Sequence, residues 1–245
     1  MVEGVDYSGA RPSPLCLYGK GKRFVGRYFG PGGSWKHASR AEVAAHVAVG
    51  LSVVVLAEGD KYDPLDGRPA GRAHALSANA AMLVTRVPTS RPIYFAVDFD
   101  MTTRQAGAVA NYLRGCADVV GLHRVGVYGG YDVVEWAHAQ GLATWFMQTY
   151  AWSNGRWSSH AHIQQYRNGV TVCGGDTDLC RASRLDYGQW PAPVQAIGSA
   201  PAPPAESTVD SGWDFTTHVD ALADTMTSLG SAVGNCARAI DALGT

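Results

Sequence analysis

Hydrophobic positions along the first 190 residues switch repeatedly between two periods. Short runs of β-type residues fall at 4–8, 23–29, 51–58, 92–100, 124–128, 144–150 and 162–166, with a last short one near 170–173. Helix-type spacing fills 40–49, 71–86, 103–113 and 131–140, and Ser39 and Thr102 stand where N-caps would open two of these segments. Repeated βα units imply a parallel sheet, and about eight of them imply a closed barrel. Residues 1–190 hold less chain than the roughly 200–250 residues such barrels usually take. The pattern therefore predicts an α/β fold, an irregular (β/α)8 TIM-type barrel with some helices short or missing.

One segment shows how such a barrel would carry chemistry. In Arg91-Pro-Ile-Tyr-Phe-Ala-Val-Asp-Phe-Asp100, side chains alternate across the strand, so Ile93, Phe95, Val97 and Phe99 share an apolar face suited to covering helices. Tyr94, Ala96, Asp98 and Asp100 share the other, which ends in two carboxylates at the mouth. Paired carboxyls at such a separation divide the acid and base or nucleophile work at a glycosidic bond. Two other readings remain open at this point: an acidic strand end that binds a cation, and Asp100 as a cap for the next helix.

Beyond residue 190 the pattern changes. Pro191, Pro193, Pro201, Pro203 and Pro204, mixed with Ala and Ser, mark a stiffened linker over 191–207. Val219, Leu222, Met226, Leu229, Val233, Cys236, Ile240 and Leu243 then alternate spacings of three and four, a heptad seam within 208–245. Such a seam either packs back on the barrel or docks on a partner helix. Its narrowness favours self-association or docking on another protein, because a helix lying on a barrel buries a broader stripe.

Composition removes several classes. A formal net charge of −1 with scattered basic residues leaves no nucleic-acid footprint, and no apolar run is long enough to span a membrane. Met1 leads almost at once into Val5-Asp6-Tyr7, so no signal peptide is expected. Synthesis is then cytoplasmic, followed by release or incorporation into a virion to act at the cell wall. Five cysteines argue against a full disulfide framework. Cys173 and Cys180 have the spacing to close a short loop, with two free thiols the favoured reading. Cys16 and Cys116 show no nucleophile context. No metal or cofactor is expected: the histidines show no ligand spacing beyond His160-x-His162, and Gly30-Pro31-Gly32-Gly33 and Gly129-Gly130 are turns rather than phosphate cradles.

Active sites of these barrels collect at the C-terminal ends of strands. Asp6, Glu58, Asp98 with Asp100, Tyr128, Gln148 with Tyr150, and Gln165 with Tyr166 stand at successive ends, and Asp176 and Asp178 follow the last. Carboxylates and amides bond hydroxyl groups while aromatic faces pack on sugar rings, which points to a polyhydroxylated ligand. Trp35, Trp145, Trp152 and Trp157 add candidate stacking surface.

At these positions the chain resembles a known family. Gly4-Val5-Asp6-Tyr7-Ser8, Phe24-Val25-Gly26-Arg27-Tyr28, Ile93 through Asp100, and Val125-Gly126-Val127-Tyr128-Gly129 look like the actinobacterial "glycoside hydrolase-like" domain of unknown function 1906. That domain is more distantly similar to the family 25 glycoside hydrolases, barrel-shaped muramidases of bacteria and phages. The resemblance covers about residues 3–187 and implies a first-strand acid at Asp6, a fourth-strand acid pair at Asp98 and Asp100, a Gln-Tyr at Gln165 and Tyr166, and a late acid at Asp178. It implies that the second acid of the pair donates the proton. Muramidases carry Glu there; Asp100 is one methylene shorter, and misplacement by over about 1 Å can cost on the order of 100-fold.

The functional expectation is hydrolysis of a peptidoglycan-type glycan, as in a phage or actinobacterial lysin. In it Asp100 is the general acid, Asp98 the stabilising carboxylate, Asp6 a supporting catalytic acid and Glu58 an alternative acid from across the mouth. Tyr128, Gln148, Tyr150, Gln165, Tyr166 and Asp178 would bind the sugar. The alternative is a non-catalytic, glycan-binding or structural barrel in a larger assembly.

Overall fold

The computed structural model describes residues 1–192; the linker and heptad segment expected beyond them lie outside the described residues. Eight strands close a barrel in chain order. They are β1 (Val2–Asp6), β2 (Phe24–Tyr28), β3 (Ser52–Ala57), β4 (Ile93–Ala96), β5 (Val125–Gly129), β6 (Trp145–Thr149), β7 (Ile163–Val172) and β8 (Gly175–Ala182). The first seven run parallel, whereas β8 pairs antiparallel with both β7 and β1. The residues expected as a separate strand near 170–173 are the end of β7, and the eighth strand is the return arm of a long hairpin.

Among the described residues five α-helices cover the outside: α1 (Pro14–Gly19), α2 (Arg40–Ala48), α3 (Arg68–Thr85), α4 (Ala106–Val120) and α5 (Tyr131–Ala139). Ser39 caps α2 as its position predicts, its hydroxyl accepting from the Glu42 amide at 3.1 Å. Thr102 does not cap α4. Its amide and hydroxyl both donate to the Gln105 side chain, which makes a turn and delays the helix to Ala106. No helix follows β6 or β7 among the described residues, so the shortness of the barrel falls on its last third.

The alternation seen in the sequence is the alternation of the fold. Ile93, Phe95, Val97 and Phe99 lie in the core between barrel and helices. Tyr94 points inward, with Phe24, Val54, Leu56, Met147, Ile163 and Tyr187. The Tyr94 hydroxyl donates to the Tyr187 carbonyl at 2.7 Å, and the Trp190 amide donates to the Val53 carbonyl at 2.8 Å. The segment after β8 thus closes the end of the barrel opposite the strand C-termini. Outside, α3 and α4 approach closely through two glycines. A Cβ on Gly71 would stand 2.0 Å from the Tyr112 carbonyl oxygen, and one on Gly115 2.2 Å from that of Arg68.

The cysteine reading needs correction. Cys173, in the turn between β7 and β8, is bonded to Cys16 on α1, with a Cα–Cα distance of 5.9 Å. It does not pair with Cys180, which is a buried free thiol, as is Cys116. The favoured reading of two free thiols therefore holds for Cys180 and fails for Cys173, because the barrel brings together cysteines 157 positions apart.

Candidate active site

The C-terminal ends of the strands surround a cavity of about 130 Å³, which includes Tyr28, Glu58, Asp98, Tyr128, Gln165 and Asp178 in its wall. A smaller neighbour of about 100 Å³ adds Asp6, Ser8 and Asp176, and shares Tyr28 and Asp178 with the first. Sheet register explains why the acids converge. Asp6 is paired with Asp178 across the antiparallel β1–β8 ladder, which places directly opposite side chains on one face roughly 5 Å apart at Cβ.

Asp6 is 1% exposed. Burial, then the nearby Asp178 charge, raises its pKa from 3.8 to about 7, although two hydrogen bonds resist the shift. The Gln165 amide donates to Asp6 Oδ2 at 2.9 Å and the Cys180 thiol donates to the same oxygen at 3.1 Å. Gln165 also donates to Asp178 Oδ2 at 3.2 Å and accepts from the Tyr128 hydroxyl at 2.9 Å. One amide therefore ties β1, β5, β7 and β8 together at the floor of the mouth. Burial holds the Tyr28 and Tyr128 phenols well above their usual range, so both remain hydrogen-bond donors at every working pH.

Asp98 stands two residues beyond the end of β4, half-buried. Burial, then the Glu58 charge, raises its pKa, and Lys61 opposes the shift. Asp178 is raised mainly by burial, against a hydrogen bond from the Gly169 amide at 2.9 Å. Glu58, in the loop after β3, is held by Lys36, whose ammonium lies 3.0 Å from Oε2. Lys36 is itself held through the chain. Its carbonyl accepts from Arg27 Nη2 at 3.2 Å, and the fully buried Arg27 is paired with Glu42 of α2 at 2.6 Å. Two aromatics stand exposed in the loops after β2 and β3: Trp35 is 65% exposed, and Tyr62, 57% exposed, has its ring 5.5 Å from that of the buried Phe99.

The predicted residues divide. Asp6, Glu58, Asp98, Tyr128, Gln165 and Asp178 come together at the paired cavities. Four others do not. Asp100 is exposed and outside the wall of either cavity: past the end of β4 at Ala96 the alternation carries on to Asp98 in the wall and Phe99 in the core, and it stops there. Gln148 points away from the barrel interior. It is fully buried, donating to Ser153 Oγ and the Arg156 carbonyl and accepting from the Ser158 amide at 2.7 Å, so it braces the loop after β6. Tyr150 is 45% exposed in that loop and lines neither cavity. Tyr166, one residue past Gln165, faces outward and donates to Glu3 at 2.8 Å. Trp145 donates to the His123 carbonyl at the opposite barrel end, at the start of β6.

Sequence reasoning missed Tyr28, Lys36, Asn168 and Cys180. Tyr28 ends β2 and could have been found by the strand-end rule that found Tyr128. Lys36 carries no local signal, since its role depends on a partner 22 positions away. Cys180 was hidden by the return strand that the pattern did not resolve.

A closed barrel with acids, an amide and phenols converging at the C-terminal strand ends defines a glycoside hydrolase-like barrel. The chain belongs to the Rv2525c-like glycoside hydrolase-like domain family, whose model matches residues 16–186. It is 30% identical over 170 residues to Rv2525c of Mycobacterium tuberculosis, whose name assigns it provisionally to the peptidoglycan hydrolases; the match covers 65% of this chain and 70% of that one. The crystal structure of that protein, described as Tat-secreted and in complex with L-tartrate, superposes with a TM-score of 0.74 at 26% identity, covering 77% of this chain and 98% of that one. The modular autolysin LytC of Streptococcus pneumoniae shares the fold at a TM-score of 0.54 and 13% identity, over 73% of this chain and 46% of that one. Among the described residues no helix is long and apolar enough to cross a membrane, and no group of side chains has a metal-binding arrangement.

Proposed function

We propose that the barrel hydrolyses a peptidoglycan-type glycan at the cavity bounded by Glu58, Asp98 and Asp178. The observation that carries this reading is the convergence of three carboxyls, Glu58, Asp98 and Asp178, on one cavity, with that of Asp98 kept protonated to higher pH by burial and by Glu58. In this scheme Asp98 donates a proton to the glycosidic oxygen. The Glu58 carboxylate, anchored by Lys36, and Asp178 face the positive charge that develops on the sugar. Asp6 and Gln165 hold Asp178 and Tyr128 in place, and the phenols bond the sugar hydroxyls. The exposed position of Asp100 favours Asp98 over it as the donor.

Purified protein incubated with bacterial cell walls should release reducing ends, and Asp98→Asn should abolish release while Asp100→Asn leaves it within a few-fold. Loss of activity in Asp100→Asn alone would return the donor role to Asp100. The second reading, a non-catalytic glycan-binding barrel, is favoured by the exposed Asp100, since the acid expected as proton donor stands outside the cavity wall. Saturable cell-wall binding that survives Asp98→Asn, with no turnover by either protein, would establish that reading instead.

The Cys16–Cys173 disulfide supports action outside the reducing cytoplasm, where a lysin meets its wall. The heptad segment would join copies or dock on another protein. Leu229→Asp together with Val233→Asp should then lower the sedimentation mass while the barrel stays folded; an unchanged monomeric mass would remove the proposal.

A further inference from the structure

A third cavity lies away from the mouth, where no helix follows β6 among the described residues. It measures about 360 Å³, against about 130 Å³ at the mouth, and the imidazoles of His138, His160 and His162, the Arg184 side chain, Phe146 and Ala143 are in its wall. These residues come from the end of α5, the start of β6, the approach to β7 and the exit from β8. They share the outer flank of the barrel at the end opposite the acids.

The chemistry of this wall is the inverse of the mouth, since it contains no carboxylate. The Phe146 amide donates to His162 Nδ1 at 3.2 Å, so that nitrogen is an acceptor and the ring's proton sits on Nε2 as a donor. Burial, then the Arg184 charge, lowers the His162 pKa to about 4, so the ring is neutral in that tautomer near pH 7. His138 and His160 stack with centroids 3.5 Å apart and planes inclined by 15°, which holds both rings in one orientation. Arg184 makes no ion pair among the described residues; its Nη2 donates to the Ser159 carbonyl at 2.9 Å, leaving further guanidinium donors free. Asp186, whose charge reaches His162, is already held by Arg91.

We propose that this pocket binds a phosphoryl group carried on a small organic residue such as a sugar. Arg184 and the imidazole N–H groups face the oxygens, and Phe146 and Ala143 supply an apolar wall beside the organic part. A guanidinium together with the Nε2 donor of His162, beside two stacked imidazoles, suits an oxyanion that accepts from several directions. A bare phosphate would leave much of 360 Å³ unfilled, which is ligand-sized space.

The test is a histidine NMR titration of the full chain with glucose 6-phosphate, with glucose and acetate as comparisons. Glucose 6-phosphate should shift the C2-proton signals of His138, His160 and His162 saturably, while glucose and acetate leave them in place. Arg184→Met, a change at an exposed position, should weaken the effect about tenfold or more through the lost charge-assisted bonds. Asp98→Asn should leave it unchanged, which separates this pocket from the mouth. Three results would each overturn the proposal: no shift of the three signals, shifts that persist in Arg184→Met, or acetate acting as strongly as the sugar phosphate.

Discussion

Replacing Asp6 by Asn should make the barrel more stable at pH 8 and not at pH 4. In the folded protein burial and Asp178 raise the Asp6 pKa from 3.8 to about 7. The unfolded chain keeps the lower value, so between those pH values the folded state binds a proton that the unfolded state has released. Stability from this group is complete below about pH 4 and falls until pH passes about 7. A shift of about 3 units at 1.36 kcal/mol per unit amounts to about 4 kcal/mol. Asn removes this loss but pairs less well with Gln165 and Cys180, at a cost of about 1 kcal/mol. The net gain at pH 8 is about 3 kcal/mol, or roughly 6–12 °C in Tm for a domain of this size. At pH 4 only the cost remains, so the sign of the difference reverses. Calorimetric unfolding of both proteins across pH 4–8 measures it. A Tm difference that does not change with pH would refute both the raised pKa and its origin in burial.

Cys180→Ala removes a donor to Asp6 and should raise the Asp6 pKa further, with Cys180→Ser restoring it, as followed by carboxyl carbon NMR; an unmoved titration would leave the thiol a packing group. Cys16→Ser should cost about 3–5 kcal/mol in denaturant unfolding, as expected when a long loop is opened, and reductant should then affect the wild type but not the variant. Gly71→Ala and Gly115→Ala would each drive a Cβ into a backbone carbonyl of the facing helix, so each should lose about 3 kcal/mol or more, whereas Gly107→Ala, with open space around it, should not.

The parts of this molecule legible in its sequence are those set by local alternation. The inward and outward faces of β4 follow from period two, and with them the places of Tyr94 and Asp98. Alternation outlasts β4, which ends at Ala96, by three residues: Val97 and Phe99 reach the core and Asp98 the mouth, but the count does not extend to Asp100, which is exposed. Gln148 and Tyr166 were misplaced for a related reason. Each neighbours an inward residue of its strand, Thr149 or Gln165, and a polar side chain at a strand end does not declare its side. The disulfide and the Lys36–Glu58 pair depend on closure of the barrel, which no local pattern encodes.

The Cys16–Cys173 bond also bears on what happens when the chain is cut. Strands β2 through β7 lie between the two cysteines, while β1 with Asp6 and β8 with Asp178 lie in the tails outside them. A protease that nicks any loop in that span opens the backbone without parting the molecule, because the two fragments remain one covalent species. The acids that must meet at the mouth stay tethered to each other through sulfur, and a nicked barrel would keep its full mass on a non-reducing gel. Damage that would dissociate an unbridged barrel is thereby reduced to a broken loop.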